Sequence, residues 1–285
     1  MSLTPLVYVV GDVHGCLAEL LELEALIRAQ SVRQGRPALM VYVGDLIDRG
    51  PDSAGVLWHV YQGVHAGTHA LIMGNHELMM LECLREWAPE AFAGLDWPEW
   101  LSDYRTTWEA GEGMARWLTW EDYRIFARSL WLGQGGYQTL VSLGCDPHQP
   151  DTWGMNPALL QFLLRLPYVW EDERCVVTHA LARRRDLELI RELTPLRGLN
   201  HRAAREHLRY SHSLIWNRAP ETAPVAGTRL HLSGHTPVPH PKRLKKSQAL
   251  QIDTGCVYGG KLTAYCPETG RFIKVAAARN YLRQV

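Results

Sequence analysis

The sequence predicts an α/β fold in which a largely parallel β-sheet, flanked by helices, packs against a second, mixed sheet. Three apolar runs, at Leu6–Val10, Leu39–Val43 and Ala70–Met73, each stop at a glycine and each precede a helical pattern. Such runs are typical of strands that are buried on both faces of a parallel sheet. The end of the chain instead has short strand patterns joined by short turns, which is typical of antiparallel pairing.

The first part of the chain alternates predicted strands and helices. Leu17–Ala29 has leucines at helical spacing, so we predict the first crossover helix there, followed by a polar loop at Ser31–Pro37. A second helix, after the second strand, is expected to end at Tyr61. The third strand, within Thr68–Met73, leads into a helix at Glu77–Trp87.

Strand patterns return in the second half of the chain, together with two helical patterns at Asp186–Leu193 and His201–Tyr210. A turn at Pro267–Gly270 joins the last two strands and predicts that they pair antiparallel. This half begins with strand patterns at Tyr168–Glu171 and Arg174–Thr178. We expect four later strands to pair antiparallel and to form the second sheet, and residues 1–285 to make a single domain. The four are Arg229–Ser233, Ala249–Asp253, Lys261–Cys266 and Arg271–Val275.

Between the two halves lies a segment rich in tryptophan, at residues 78–161. Eight of the eleven tryptophans fall between positions 87 and 153, among helical patterns separated by prolines and glycines. We predict a helical insertion whose tryptophans form a small core, because these side chains bury large apolar areas. A tryptophan wall over the active site is the alternative. We also expect the insertion to border the substrate cleft and to select substrates by shape.

Charge and cysteine content favour some classes of protein over others. Thirty basic and thirty acidic residues cancel, so the net charge gives no sign of a nucleic-acid or membrane partner. The six cysteines include no C-x-x-C pair, and several lie in apolar strands, as free thiols do in a reducing compartment. No apolar stretch is long enough for a membrane span or a signal peptide. The sequence therefore predicts a cytoplasmic protein.

Three short polar motifs follow the three apolar runs. They are Gly-Asp-Val-His-Gly at 11–15, Gly-Asp-Leu-Ile-Asp-Arg-Gly at 44–50 and Gly-Asn-His-Glu at 74–77. Their separation is close to one strand–helix–strand unit. Because open α/β sheets place their sites at the carboxyl ends of the strands, we expect these polar side chains to converge. His179 and His235 also follow strand patterns and are expected at the same edge.

The converging side chains mix carboxylate, amide and imidazole groups. This mixture is typical of sites for borderline divalent metals such as manganese, iron, zinc or cobalt. Asp45 is the central candidate to bridge two ions, and two such ions can activate water and hold phosphoryl oxygens. The candidate metal ligands are Asp12, His14, Asp45, Asn75, His179 and His235.

Three further side chains suit phosphoryl chemistry. Arg49 offers a planar set of donors for phosphate oxygens. His76 can protonate a leaving oxygen, and Asp48 can hold the imidazole in one tautomer. Each motif alone is often an ordinary turn, so a purely structural interpretation is the alternative; the order and spacing of the motifs favour function.

Together the motifs resemble the phosphoprotein phosphatase branch of the calcineurin-like metallophosphoesterases. His179 and the Ser-Gly-His-Thr stretch at 233–236 complete the resemblance, and 214–218 resembles the segment that supplies a second phosphate-binding arginine, here Arg218. The resemblance implies two mixed β-sheets packed as a sandwich flanked by helices, with the metals at one edge. It implies one ion on Asp12, His14 and Asp45, and a second on Asp45, Asn75, His179 and His235.

The same resemblance implies roles for the remaining residues. His76 and Asp48 would form the acid pair, and Arg49, Asn75 and Arg218 would bind substrate. The cofactors would be two divalent ions, manganese first, with iron, zinc, cobalt or nickel as alternatives. The fourth motif departs from the family, because Ala180 follows His179 where the family often has glycine.

We therefore predict a two-metal phosphoesterase that hydrolyses phosphomonoesters of serine or threonine by direct attack of metal-bound hydroxide. The expected partner is a phosphorylated protein or a small phosphoester. Hydrolysis of dinucleoside polyphosphates is the alternative within the enzyme class, because 253–264 resembles bacterial members that include symmetrical diadenosine tetraphosphatases. An inactive metal-dependent binding module is the alternative from another class.

Overall fold

The computed structural model describes residues 4–96, 119–193, 211 and 213–283. The predicted helix His201–Tyr210 and four of the tryptophans of the insertion lie outside these residues. The described strands are numbered in chain order. They are β1 (Leu6–Val10), β2 (Ala38–Tyr42), β3 (His69–Leu71), β4 (Val169–Glu171), β5 (Cys175–Thr178), β6 (Leu230–Ser233), β7 (Lys242–Leu244), β8 (Ala249–Gln251), β9 (Lys261–Cys266) and β10 (Arg271–Ala276).

Helices connect and flank these strands. The first helix continues four residues past the predicted Ala29 into the segment expected to be a loop, and the second ends beyond Tyr61. The described helices are α1 (Leu17–Arg33), α2 (Ser53–His65), α3 (Asn75–Trp87), α4 (Trp120–Trp131), α5 (Tyr137–Ser142), α6 (Pro157–Leu164) and α7 (Arg184–Leu193). A π-helical turn, Leu132–Gly136, joins α4 to α5.

The first sheet has the strand order β10-β9-β1-β2-β3. β1, β2 and β3 are parallel, as predicted, with Val9 opposite Val41 and Val41 opposite Ala70. β9 runs antiparallel to β1 and to β10, so this sheet is mixed. Because β1 pairs with β2 on one side only, its other side is open to the β9–β10 hairpin.

The second sheet has the order β4-β5-β6-β8-β7. Its three central strands are parallel, and β4 and β7 run antiparallel at the two edges. The antiparallel pairing expected of Arg229–Ser233 and Ala249–Asp253 was therefore wrong, because β6 and β8 pair parallel. We expected Lys261–Cys266 and Arg271–Val275 in this sheet, and that prediction was wrong. The turn between them correctly predicts a hairpin, but a hairpin's own sequence does not say which sheet edge it joins.

The two sheets pack face to face around an apolar layer that includes Val9, Val41, Val177, Leu232 and Ile252. Alternate residues of the first sheet point the other way, because successive side chains of a strand face opposite sides. Those residues pack in a second apolar cluster with α1 and α2. The structure thus confirms the predicted sandwich of two mixed sheets flanked by helices.

The described part of the insertion is helical and packs on α3 through α4. Trp131 and Trp153 are buried there, with their ring centroids 6.1 Å apart, as expected for tryptophans that form a core. The π-helical turn before α5 reaches the edge of the first sheet, where the Arg49 N–H donates to the Gly135 carbonyl at 3.3 Å. Within the described chain, no helix is both long and apolar enough to cross a membrane.

Candidate active site

The loops after β1 and β2 are joined by backbone hydrogen bonds at one edge of the first sheet. The N–H groups of Val13 and His14 donate to the Asp45 carbonyl at 3.1 and 2.9 Å. The N–H of Gly15 donates to the Leu46 carbonyl at 2.7 Å. These bonds fix the first two motifs against each other before any side chain is considered.

The loops after β5 and β6 bring His179 and His235 to the same place. The Gly234 N–H donates to the His179 carbonyl at 2.8 Å, and the His235 N–H donates to Asp12 Oδ2 at 3.0 Å. A Cβ atom on Gly234 would lie 1.9 Å from Asp12 Oδ1. Only glycine therefore allows the second sheet to approach Asp12 this closely.

Asp45 is shared by two clusters of potential ligand atoms, one with His14 and His76 and the other with His179 and His235. Its Oδ2 is 3.6 Å from His14 Nε2, and its Oδ1 is 3.3 Å from His179 Nε2. Burial raises the pKa of Asp45, but the surrounding histidines outweigh burial and hold the pKa well below its usual range. All six predicted ligand side chains are buried: Asp12, His14, Asp45, Asn75, His179 and His235.

A second set of donor atoms surrounds Asn75. Its Oδ1 lies 2.8 Å from His179 Nε2 and 2.9 Å from His235 Nδ1. His179 Nδ1 donates to the Val43 carbonyl at 2.8 Å, so in the neutral ring Nε2 carries a lone pair that faces other acceptors. Acceptor atoms that face one another in this way repel each other unless a proton or a cation lies between them. Burial lowers the pKa of His179, but Asp45 outweighs burial and raises it to about 9.

Two further observations indicate that the site fits metal ions. His14 Nδ1 donates to the Ile47 carbonyl at 2.7 Å, which leaves Nε2 as an acceptor, and the cationic Arg49 guanidinium lies 2.6 Å from it. His235 Nε2 is buried and has no hydrogen-bond partner among the described residues. Imidazole lone pairs that are unpartnered, as at His235, or that face only a cation, as at His14, are with buried carboxylates the donor set of borderline divalent metals.

His76 and Asp48 form a buried hydrogen-bonded pair, with Nδ1 2.6 Å from Asp48 Oδ2. Burial raises the pKa of Asp48 and lowers that of His76 to about 3, so burial favours the neutral form of each group. Because Nδ1 is engaged by Asp48, Nε2 is the ring atom available to a substrate. It lies 3.8 Å from Asp45 Oδ2, beside the predicted metal ligands.

The insertion supplies two further partners of the Asp48 carboxyl group. Thr139 Oγ1 donates to Asp48 Oδ1 at 2.6 Å, and Trp131 Nε1 donates to Asp48 Oδ2 at 3.1 Å. The Asp48 N–H in turn donates to Thr139 Oγ1 at 2.9 Å. Sequence reasoning missed both residues. Trp131 belongs to the tryptophan-rich segment, but nothing in the pattern marks Thr139.

The π-helical turn contacts Arg49. Gln134 Oε1 accepts from Arg49 Nη2 at 3.2 Å, and the guanidinium lies over the Tyr258 ring at 5.6 Å from its centroid. Gly135 has φ of 115°, and a Cβ there would lie 2.3 Å from Arg49 N. A side chain at Gly135 would therefore push the turn away from Arg49. The paired glycines at 135–136 were the available signal for this contact.

Arg218, the second predicted phosphate ligand, is exposed and follows a short helical stretch at 213–216. Its neighbour Asn217 donates through Nδ2 to the Leu181 carbonyl at 2.7 Å, which ties this segment to the loop after His179. Burial lowers the pKa of His235 to about 3, and the positive charge of Arg218 acts in the same direction. The Trp216 ring, two residues before the exposed Arg218, lies 5.8 Å from the His235 ring between centroids, so this segment contacts the ligand cluster.

Unusual backbone conformations are concentrated at this site. Six described residues other than glycine have positive φ, and five of them are predicted site residues, with Gln248 the exception. Such conformations persist only where the surroundings enforce them. The Glu77 carboxylate contributes here, because it accepts from the N–H groups of Asp45, Leu46 and Gly74 at 2.9, 2.8 and 3.1 Å. The five site residues are His14, Asp45, Asp48, Arg49 and His235.

Known proteins resemble this chain over nearly all of its length. The asymmetrical bis(5'-nucleosyl)-tetraphosphatase PrpE of Oceanobacillus iheyensis is 25% identical, with 97% of this chain and 94% of that protein covered. The symmetrical bis(5'-nucleosyl)-tetraphosphatase of Cellvibrio japonicus is 25% identical, with 94% and 98% covered. Serine/threonine-protein phosphatase 1 of Salmonella typhimurium is 26% identical, with 90% and 89% covered.

A solved structure and a family sequence pattern also match this chain. The cold-active protein-tyrosine phosphatase of a psychrophilic Shewanella species has a TM-score of 0.51 at 18% identity, with 99% of this chain and 81% of that one covered. That likeness concerns the fold alone. The sequence pattern of the calcineurin-like phosphoesterases matches residues 5–263. The chain therefore belongs to the calcineurin-like phosphoesterase family and is a metal-dependent hydrolase of phosphoric esters.

Proposed function

We propose that this chain is a two-metal phosphatase that hydrolyses phosphomonoesters of serine and threonine side chains. The observation that carries the proposal is the convergence of six buried donor side chains with the His76–Asp48 pair and Arg49 at one sheet edge. Such a set offers separate groups for the nucleophile, the phosphate oxygens and the leaving group.

The donor side chains fall into two groups that share Asp45. We propose manganese as the first candidate metal because carboxylate and carbonyl oxygens suit it, with iron, zinc, cobalt and nickel as alternatives. When bound, two divalent ions supply an activated water and offset the charge of the phosphoryl group. One ion would be held by Asp12, His14 and Asp45, and the other by Asp45, Asn75, His179 and His235.

The remaining residues bind and position the phosphoester. Arg49 and Arg218 are cations that would pair with phosphate oxygens, and Asn75 would add an amide contact. Burial favours the neutral form of both groups, so Asp48 would donate to Nδ1 and hold the His76 ring in the tautomer whose proton is on Nε2. His76 would give that Nε2 proton to the leaving oxygen and take the Asp48 proton at Nδ1.

The alternative substrate is a dinucleoside tetraphosphate. Two of the relatives reported above are tetraphosphatases, at an identity similar to that of the protein phosphatase. The same metal ligands and arginines serve either ester, so the substrates differ in what lies beyond the phosphate. A binding module without turnover is disfavoured, because His76, Asp48 and Arg49 are all present and in contact with the site.

A side-by-side assay tests the proposal. Manganese-loaded enzyme is given a phosphoserine peptide and diadenosine tetraphosphate, and kcat/KM is measured for each. We expect the phosphopeptide to have the higher value. A higher value for diadenosine tetraphosphate would overturn the substrate assignment, and the products would then separate symmetrical cleavage, which gives two ADP, from asymmetrical cleavage, which gives ATP and AMP. No turnover of either substrate, or of p-nitrophenyl phosphate, would support a binding module.

A further inference from the structure

A second cluster of histidines and a carboxylate lies outside the active site. Glu24 on α1, His59 on α2 and His69 at the start of β3 bring their polar atoms together on the outer face of the first sheet. Glu24 Oε1 lies 2.9 Å from His59 Nε2 and 2.9 Å from His69 Nε2. The Glu24 side chain is fully buried, whereas that of His59 is 27% exposed.

Ordinary hydrogen bonding does not account for this arrangement. Besides the two imidazoles, the buried Tyr42 hydroxyl also donates to Glu24 Oε1. A carboxylate oxygen has two lone pairs, so three donors cannot all be satisfied by it in good geometry. At least one imidazole nitrogen therefore faces this oxygen without a proper hydrogen bond.

The tautomer of His69 determines whether its Nε2 can donate to Glu24. Thr68 Oγ1 lies 3.1 Å from the Gly63 carbonyl, to which it can donate its one proton. When it does so, His69 Nδ1, 2.8 Å from the same Oγ1, is the donor of the second bond. In the neutral ring, Nε2 is left with a lone pair that points at the Glu24 carboxylate. A histidine that donates through one nitrogen and presents the other is the usual arrangement of a metal ligand.

A further contact holds the Glu24 carboxylate in place. Its second oxygen, Oε2, pairs with the Arg28 guanidinium one helical turn away. Carboxylates that bind metals are commonly held by a hydrogen bond in this way. Two imidazoles and one carboxylate are typical ligands of zinc, with the metal 2.0–2.2 Å from each ligand atom.

We propose that Glu24 Oε1, His59 Nε2 and His69 Nε2 bind one zinc ion. The ion would tie α1 and α2 to β3, with the Tyr42 hydroxyl as its neighbour. The site is separate from the active-site ligands, and its role would be to hold the outer helices on the sheet.

The test compares His59→Ala with a matched control, His65→Ala. Both histidines lie on α2, and His65 is exposed and outside the cluster. Each protein is equilibrated with zinc buffered by a chelator, and bound zinc per chain is measured. We expect His59→Ala to hold one zinc fewer than the wild type and His65→Ala to hold as many as the wild type. Turnover of p-nitrophenyl phosphate by the manganese-loaded variants should be unchanged.

Equal zinc content in all three proteins would overturn the proposal. It would mean that one imidazole is protonated and pairs with Glu24 as an ion. Should His59→Ala fail to fold, anomalous scattering at the zinc edge from wild-type crystals decides the matter. A peak between Glu24, His59 and His69 supports the site, and its absence at saturating zinc rejects it.

Discussion

The motif loops and the helical insertion contribute to the same site in different ways. The loops at 11–15, 44–50 and 74–77 provide donor atoms whose residue types already indicate metal and phosphate chemistry. The insertion provides Trp131 and Thr139, which bind Asp48 without joining the ligand cluster. The comparison teaches that reactive groups and the groups that orient them can come from segments of very different sequence character.

The contacts of the insertion add to the role that the sequence predicted for it. We predicted that it borders the cleft and selects substrates, and that prediction still awaits a test. The described contacts add a role in positioning, because they reach both Asp48 and Arg49. Replacing the whole segment by a linker would remove these contacts together with any selectivity, so single substitutions are needed to separate the two.

The largest effect is expected from Asp45→Asn, which tests the motif loops. Loss of the shared carboxylate should remove both ions and lower kcat by about 10³-fold or more, since metal stabilisation supplies several kcal/mol. Elemental analysis and kcat are measured on the same sample, with the exposed Asp151→Asn as the control. Full retention of two metal ions in Asp45→Asn would contradict its bridging role.

The next largest effect is expected from His76→Asn. Loss of a general acid should lower kcat for a phosphoserine peptide by about 10²–10⁴-fold. The loss should be much smaller for p-nitrophenyl phosphate, whose leaving group hardly needs a proton. Equal losses on the two substrates would show that His76 does not act on the leaving group.

A smaller effect is expected from Thr139→Ala, which tests the insertion. Asp48 loses a hydrogen bond from a neutral hydroxyl to a buried carboxyl group, so kcat should fall about 10- to 100-fold with KM little changed. Thr139→Ser keeps the hydroxyl and should restore most of the rate. If Thr139→Ser and Thr139→Ala lower kcat equally, the packing of the Thr139 side chain matters and its hydrogen bond does not.

The smallest effect is expected from Gly135→Ala. The positive φ at Gly135 and the contact with Arg49 N resist any side chain, so the π-helical turn should shift. We expect kcat/KM to fall about 3- to 10-fold through a displaced Arg49. Gly133→Ala is the matched control, because a Cβ at Gly133 meets nothing within 4 Å. Equal effects of the two substitutions would argue against a specific contact at Gly135.

Much of the fold was predictable because the buried parallel strands are continuous apolar runs. The hairpin Lys261–Ala276 was predicted as a hairpin but assigned to the wrong sheet, since sheet choice depends on which edge is free. β7 was not predicted. It is a three-residue edge strand, Lys242–Leu244, and charged residues at a sheet edge resemble a polar loop.

The site residues likewise divide into those that were predictable from the sequence and those that were not. Donor residues such as Asp45 were predictable because each follows a strand end, where the fold concentrates polar groups. Thr139 was not, because a threonine that binds a carboxylate 91 positions away has the same local pattern as any helical threonine. Tyr258 was missed for a similar reason, since its ring meets Arg49 only through the packing of the two loops.

The most direct test of the central claim is a double-mutant cycle between Thr139→Ala and His76→Asn. The claim is that the insertion acts on catalysis through Asp48 and therefore through His76. The kcat for a phosphoserine peptide is measured for the wild type, both single variants and the double variant. We predict that Thr139→Ala lowers kcat in the wild-type background but has almost no further effect once His76 is replaced. Full additivity of the two losses would contradict the claim, because it would mean that the insertion supports catalysis by a route independent of His76.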